Sequence, residues 1–233
     1  MTEKPCINFI FKMSIKTLAY GEKNYNYYSA YLREKYHGKR VYKVIVDGGF
    51  TCPNRDGSKG YGGCTYCNTD SFTPASRNLD SIREQVLHGM ENATQNYKAE
   101  KFIIYFQPNS NTYAPVEELK LMYDESLKIN SENIVGLSVG TRPDCLDAEI
   151  ITLLESYKNK GLEVDIELGI ESIYNETLQN LNRGCTHEDF ISAMKLLENS
   201  SLDVCVHTIL GLPGETREMI VKYADEINKF EKI

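Results

Sequence analysis

Five times along this chain a short, β-branched apolar run is followed by a longer segment whose apolar residues recur at three- and four-residue steps. The runs are Val41 to Val46, Phe102 to Phe106, Ile134 to Val139, Val164 to Leu168 and Val204 to Leu210. Each is short and flanked by Gly, Pro, Asn or Asp, the pattern of a buried strand. The segments between them carry Ile82, Val86, Met90, Ala93 and Tyr97, then Val116, Leu119, Tyr123 and Leu127, then Ile150, Leu154 and Tyr157. Phe190, Met194 and Leu197 follow, and last Ile220, Tyr223, Ile227 and Phe230. That period predicts amphipathic helices. Strand and helix in strict alternation predict an α/β fold with a parallel sheet and right-handed crossovers, either an open α/β sheet or a partial (β/α) barrel. In both, ligands sit at the carboxyl ends of the strands. Five β/α units are visible and the sixth strand is absent, and a length of 233 residues suits one domain of this kind.

No apolar run approaches the ~20 residues of a membrane span. The opening MTEKPCINFIFKMSIK interrupts its apolar stretch with lysine and asparagine, so no secretory signal is expected either. Seven cysteines, an odd number, then point to thiols that are reduced, metal-bound or catalytic in the cytoplasm. A net charge of -7 speaks against a wholly basic nucleic-acid binder, but the charge is uneven. Residues 1–43 hold nine Lys/Arg against three Asp/Glu, whereas residues 44–233 hold seventeen against thirty. The division expected is a basic, tyrosine-rich arm over residues 1–40 and a core domain over 41–233. In and beside the arm, Tyr20, Tyr25, Tyr27, Tyr28, Tyr31, Tyr36 and Tyr42 are interleaved with Lys23, Arg33, Lys35, Lys39 and Arg40. Cations beside aromatics can follow a phosphate backbone and stack on bases. The competing reading is a helix over about 26 to 36 that packs its tyrosines on the body.

The first strand runs into a loop that holds Cys52, Cys64 and Cys67, spaced C-x11-C-x2-C, with Gly57, Gly60, Gly62 and Gly63 between the first two cysteines. The glycines let the chain fold back, so that the loop can present three thiolates at the active end of strand one. A closed structural zinc site takes four ligands. Three thiolates on a four-iron cluster leave one iron open. The alternatives are a zinc site completed by Cys6 or a histidine, and a loop whose thiols carry no metal.

The loop resembles that of radical S-adenosylmethionine (SAM) enzymes, in which three cysteines hold a [4Fe-4S] cluster and an aromatic residue precedes the last. Tyr66 stands in that place, and the first gap is wider than the usual three residues. With GFTCPNRDG, YFQ, NTYAP, GTRPD, ELGIES, LNRG and HTILGLPGET, the chain from about Tyr27 onward is similar to the YhcC/YtqA-type group. That group is related to the elongator catalytic subunit, to MiaB-like proteins and to oxygen-independent coproporphyrinogen oxidase. The resemblance implies a [4Fe-4S] cluster on Cys52, Cys64 and Cys67, with SAM chelated at the open iron and cleaved reductively to a 5′-deoxyadenosyl radical. It places Gln107 near the methionyl amine, Thr141 near the ribose or methionyl end, Glu171 on the ribose hydroxyls and Arg183 on the SAM carboxylate. It also places His207 and Ile209 against ribose and adenine, and Gly211 in a turn at the adenine edge. Alone, a Gln, Glu or Arg at a strand end is a capping or solvated residue; their joint placement carries the assignment.

Relatives of this group continue into a sixth strand, so the resemblance implies a core shortened at its carboxyl end. It further implies transfer RNA as substrate, with the 5-carboxymethylaminomethyl group of the wobble uridine converted to aminomethyl, and a reductant such as flavodoxin or ferredoxin. Two other functions fit the same residues: a radical SAM enzyme acting on a small metabolite or peptide, and a non-enzymatic, zinc-stabilised RNA-binding module. Cys145 and Cys185 read as small buried thiols, and Cys6 as part of a frayed terminus.

Overall fold

The computed structural model describes residues 27–68 and 81–233. After a first helix, α1 (Tyr28–Lys35), five strands alternate with helices: β1 (Val41–Val46), α2 (Ile82–Tyr97), β2 (Lys101–Phe106), α3 (Val116–Lys128), β3 (Ile134–Thr141), α4 (Ala148–Lys158) and β4 (Glu163–Glu171). A short α5 (Asn175–Asn180), α6 (His187–Leu197), β5 (Asp203–Thr208) and α7 (Arg217–Ile227) complete it. All strand pairs are parallel and lie in the order β1-β2-β3-β4-β5. An order that never reverses means that every right-handed crossover returns on the same side of the sheet. Of the two architectures open at the level of sequence, this is the singly wound one, an open sheet of the partial-barrel kind.

Winding in one direction makes the two sheet faces chemically different. On the helix side, Val44, Val46, Ile104, Phe106, Leu137, Val139, Ile166 and Leu168 join Val86, Met90, Leu119, Tyr123, Leu154, Tyr157, Phe190 and Met194 in one core. These are the helix positions that the three- and four-residue period marks. Each fully buried side chain of this size contributes roughly 1.5–3 kcal/mol. The pleat sends the alternate residues to the opposite face, where Lys43, Tyr105, Ser138, Asp165, Glu167, Cys205 and His207 form a polar lining.

Three local features differ from the sequence expectation. β5 ends at Thr208, two residues short of Leu210, because the chain turns there and Gly211 takes a φ of +85°. α7 ends at Ile227, so Phe230 lies beyond it and packs edge-on against Phe190. The short helix α5 was not anticipated, since its six residues, NETLQN, are too few to display a period. The helix expected over 26 to 36 is present as α1; it buries Leu32 and leaves Tyr28 and Tyr31 half-exposed. Tyr20, Lys23 and Tyr25 of the arm, and Cys6, lie outside the described residues.

Candidate active site

The cysteine loop is built by its own backbone. Cys52 O accepts from Arg55 N (2.8 Å) and Asp56 N (3.2 Å), Pro53 O accepts from Lys59 N (2.8 Å), and Asn54 O accepts from Gly63 N (2.9 Å). Cys67 N donates to Cys64 O at 3.0 Å, which sets the C-x2-C pair in one turn. The loop is then pinned to the segment after α5. Thr65 N donates to Leu181 O (2.9 Å), Asn182 Nδ2 donates to Gly63 O (2.9 Å), and the buried Asn54 amide donates to Asn182 O. Gly184 leaves the room this needs, since a Cβ there would lie 2.7 Å from Asn54 Oδ1.

All three cysteines open into one cavity of about 210 Å³ at the carboxyl ends of the strands. Each has its own arginine. Arg142 Nη1 lies 3.7 Å from Cys52 Sγ, Arg183 Nη1 lies 3.8 Å from Cys64 Sγ, and Arg55 Nη2 lies 3.4 Å from Cys67 Sγ. Asn54 Nδ2 adds a second donor to Cys64 at 3.6 Å. Three guanidinium groups aimed at three sulfurs make an electropositive cradle for thiolates and for an anionic cluster. Sequence reasoning singled out Arg183 but not for this contact, and it missed Arg55 and Arg142. Their signal lies in the NRDG and GTRPD segments, which put an arginine in the loop and another at the end of β3.

Arg142 is held as firmly as it holds Cys52. Its Nε and Nη2 bind Asp144 at 2.8 and 2.9 Å, and its Nη1 and Nη2 donate to Arg183 O and Gly184 O at 2.9 and 3.1 Å. Lys59 Nζ reaches the same carboxylate at 2.6 Å. Burial alone would raise the Asp144 carboxyl, but Arg142 and Lys59 outweigh it and hold the group down to about 2. Cys145 and Cys185 are different: burial pushes both thiols up to about 12, which keeps them neutral.

Tyr66, Gln107, Thr141, Glu171, Arg183 and His207 line the same cavity, whereas Ile209 and Gly211 do not. Ile209 is tied through its backbone, Ile209 N donating to Glu171 O at 2.9 Å, as the chain leaves β5. Thr141 is buried and shares a 2.6 Å hydrogen bond with Thr112 Oγ1. Glu171 sits at a break in the β4–β5 register with a φ of +63°, a strained conformation for a non-glycine residue. Its carboxylate lies 3.5 Å from Arg183 Nη2, which also donates to Gly169 O at 2.6 Å. Arg183 is 6% exposed, and its Nε has no partner among the described residues. Arg183 is thus a buried cation that lines the cavity, which suits an anionic ligand. His207 turns to Glu167 instead, and the Cys205 and Glu167 side chains push its imidazole up to about 10.

The three cysteine sulfurs are not gathered as tightly as ligands of a single ion. Among the described residues, only Glu167, Cys205 and His207 bring three donor atoms within 4.8 Å of one another. Cys52, Cys64 and Cys67 do not all come that close to one another, which is compatible with ligands to different irons.

Residues 51–227 match the radical SAM superfamily. The chain belongs to that superfamily. It is 41% identical over 194 residues to the protein YhcC of Escherichia coli strain K12, an alignment that takes in 83% of this chain and 61% of YhcC. The chain thus spans about three fifths of that relative's length. Over 108 residues it is 40% identical to the tRNA uridine(34) acetyltransferase of Methanocaldococcus jannaschii, covering 45% of this chain and 19% of that protein. Among solved structures, Methanocaldococcus infernus Elp3 with an N-terminal deletion superposes with a TM-score of 0.55 at 24% identity. That likeness covers 80% of this chain and 42% of Elp3, and it shows the fold. Radical SAM enzymes use a [4Fe-4S] cluster and SAM. Among the described residues of this member, no helix is long and apolar enough to cross a membrane.

Proposed function

We propose that this chain is the catalytic core of a radical SAM enzyme that modifies the wobble uridine of transfer RNA, converting its 5-carboxymethylaminomethyl group to aminomethyl. The observation that carries the radical SAM part is the cavity in which three cysteines each face an arginine. Cys52, Cys64 and Cys67 hold the [4Fe-4S] cluster, and Arg55, Arg142 and Arg183 offset the charge of the thiolates. The cluster and SAM, when bound, supply a 5′-deoxyadenosyl radical that abstracts hydrogen from the substrate.

The protein's own part is to bind, orient and shield. Arg183, a cation in the cavity wall, takes the SAM carboxylate, and Gln107 offers an amide to the methionyl amine. Glu171, aimed into the cavity from the β4 break, takes the ribose hydroxyls. Thr141, fixed by Thr112, shapes the wall between them.

The transfer RNA part rests on two supports. One is the similarity to a protein named for acting on uridine 34 of tRNA. The other is the basic, tyrosine-rich arm of residues 1–40, read here as a unit that meets RNA beside the core of 41–233. A reductant of the flavodoxin or ferredoxin class supplies the electron.

The test is anaerobic incubation of the reconstituted chain with SAM, a reductant and tRNA from a strain that lacks the gene. Mass spectrometry should find 5′-deoxyadenosine, with carboxymethylaminomethyluridine consumed and aminomethyluridine formed. Turnover of SAM with unchanged nucleosides would move the substrate to a small metabolite or peptide. A colourless, zinc-loaded protein that takes up no iron would end the radical assignment.

A further inference from the structure

Beneath the cysteine cavity, on the polar face of the sheet, lies a second set of metal-binding side chains that the radical chemistry leaves unused. Glu167 on β4 is the direct register partner of Cys205 on β5, and His207 follows Cys205 on the same face of the same strand. Neighbouring strands lie about 4.8 Å apart, so side chains on one face of such a pair meet. Here they meet by their donor atoms. A carboxylate oxygen, a thiol sulfur and an imidazole nitrogen all lie within 4.8 Å of one another.

The way they meet distinguishes a metal site from a catalytic relay. In a nucleophile–base–carboxylate relay the imidazole uses one nitrogen for the nucleophile and the other for the carboxylate. In this chain both contacts fall on the same nitrogen: His207 Nε2 is 3.8 Å from Cys205 Sγ and is bound to Glu167 Oε2. Three donor atoms of these types gathered within 4.8 Å of one another suit the ligands of one ion. We propose that Glu167, Cys205 and His207 form a three-ligand site for a divalent zinc ion, separate from the three-cysteine site.

The surroundings suit that ion in charge and in orientation. Lys43 Nζ binds Glu167 Oε1, Ser138 Oγ (2.8 Å) and Asp165 Oδ2 (3.3 Å), so it holds the carboxylate by one oxygen and leaves the other turned to His207. Tyr105 OH lies 3.3 Å from that second oxygen and orients it from the far side. Such outer partners fix the direction of ligands in metal sites. Lys43 and Asp165 cancel in charge. The Glu167 carboxylate and a Cys205 thiolate then need two positive charges, which Zn²⁺ provides.

A thiolate, an imidazole and a carboxylate are a zinc donor set, and three protein ligands leave the fourth position open. Binding forms the Zn–S, Zn–N and Zn–O bonds, releases water from the ion and displaces the protons of Cys205 and His207 to solvent, with no change of oxidation state. Glu167 and His207 also line the cysteine cavity, while Cys205 is exposed beside it, so the site borders the space where substrate chemistry is proposed. It takes water or an anionic oxygen.

The test separates this site from the cluster. A chain with Cys52, Cys64 and Cys67 all replaced by Ser, stripped of metal and titrated with Co²⁺, should bind a single Co²⁺ with thiolate-to-metal charge-transfer absorption in the near ultraviolet. Adding Cys205→Ser should abolish that absorption, and Glu167→Gln or His207→Ala should weaken binding at least ~10-fold. No Co²⁺ binding, or binding indifferent to Cys205→Ser, overturns the site. If circular dichroism shows the triple variant unfolded, metal analysis of the cluster-loaded chain decides instead. There, zinc near one per chain should fall to near zero in Cys205→Ser while iron stays at about four. Equal zinc in the two, or zinc in neither, overturns the proposal. None of these readouts depends on SAM cleavage or on tRNA, so they stand apart from the activity proposed above.

Discussion

At the scale of single residues, the most consequential group in the site is one that never touches the cavity as a ligand. Asp144 binds Arg142 through both oxygens, and Arg142 in turn faces Cys52. Removing one partner of a buried ion pair leaves the other charged in a dry place. Arg142→Met should therefore lower stability by about 3 kcal/mol, read as a fall in the urea midpoint, and should reduce iron incorporation. The same pair sets an acid limit. The Asp144 carboxyl is held down to about 2 in the folded state, below its ordinary value of 3.8, so its contribution is complete above that ordinary value and fades as the pH falls toward 2. The difference amounts to about 2 kcal/mol. Urea midpoints between pH 5 and pH 2 should fall less steeply in Arg142→Met than in the parent chain; equal slopes would show that the pair does not set the limit. The three cysteines that meet in the cavity were legible in the sequence as a group because a thiol in a glycine-rich loop declares its chemistry by its identity. Arg55 and Arg142 were not, because an arginine's role depends on where its long side chain is sent, and for Arg142 that is decided by the Asp144 carboxylate and the 183–184 carbonyls.

At the scale of elements, the five strands and the long helices were legible because burial on one side imposes a period. The departures fall where the period stops. β5 ends at Thr208 because the chain must turn at Gly211, and this carries Ile209 and Gly211 away from the cavity that the other expected residues share. The break between β4 and β5 at Gly169 and Glu171 has no sequence signal of its own, yet it aims the Glu171 carboxylate. A Cβ at Gly169 would lie 2.8 Å from Glu171 Oε1 and 3.4 Å from Arg183 Nη2. Both atoms are ends of side chains that can move, so Gly169→Ala should leave stability within about 0.5 kcal/mol of the parent. The two groups proposed to hold SAM would be displaced together, and equilibrium dialysis on cluster-loaded protein should show SAM affinity down ~10-fold. Unchanged affinity would place SAM away from the Glu171–Arg183 pair.

At the scale of the whole molecule, the sheet's single direction of winding and the uneven charge act together. Helices cover one face, the polar lining occupies the other, and the loops at the carboxyl ends meet in one cavity. The body carries most of the acidic residues, and an RNA partner must be held by a surface that is locally basic. Residues 1–43 carry the net positive charge that the proposed tRNA partner would need. In the structure, Arg33, Lys35, Lys39 and Arg40 are all exposed, but Lys35 is bound to Glu163 and Arg40 to the Tyr97 carbonyl, so Arg33 and Lys39 are the arm cations more readily offered to phosphate among the described residues. Replacing Lys4, Lys12, Lys16, Lys23, Arg33 and Lys39 with Gln should weaken tRNA binding and flatten its dependence on salt, by roughly 0.7–0.9 in the log–log slope for each phosphate no longer neutralised. Iron content and SAM cleavage without RNA should not change if these charges serve RNA alone; Arg33 and Lys39, the two among the described residues, do not line the cysteine cavity. Filter binding across a salt series measures the slope. A slope that survives all six replacements would move the RNA off these cations of the arm.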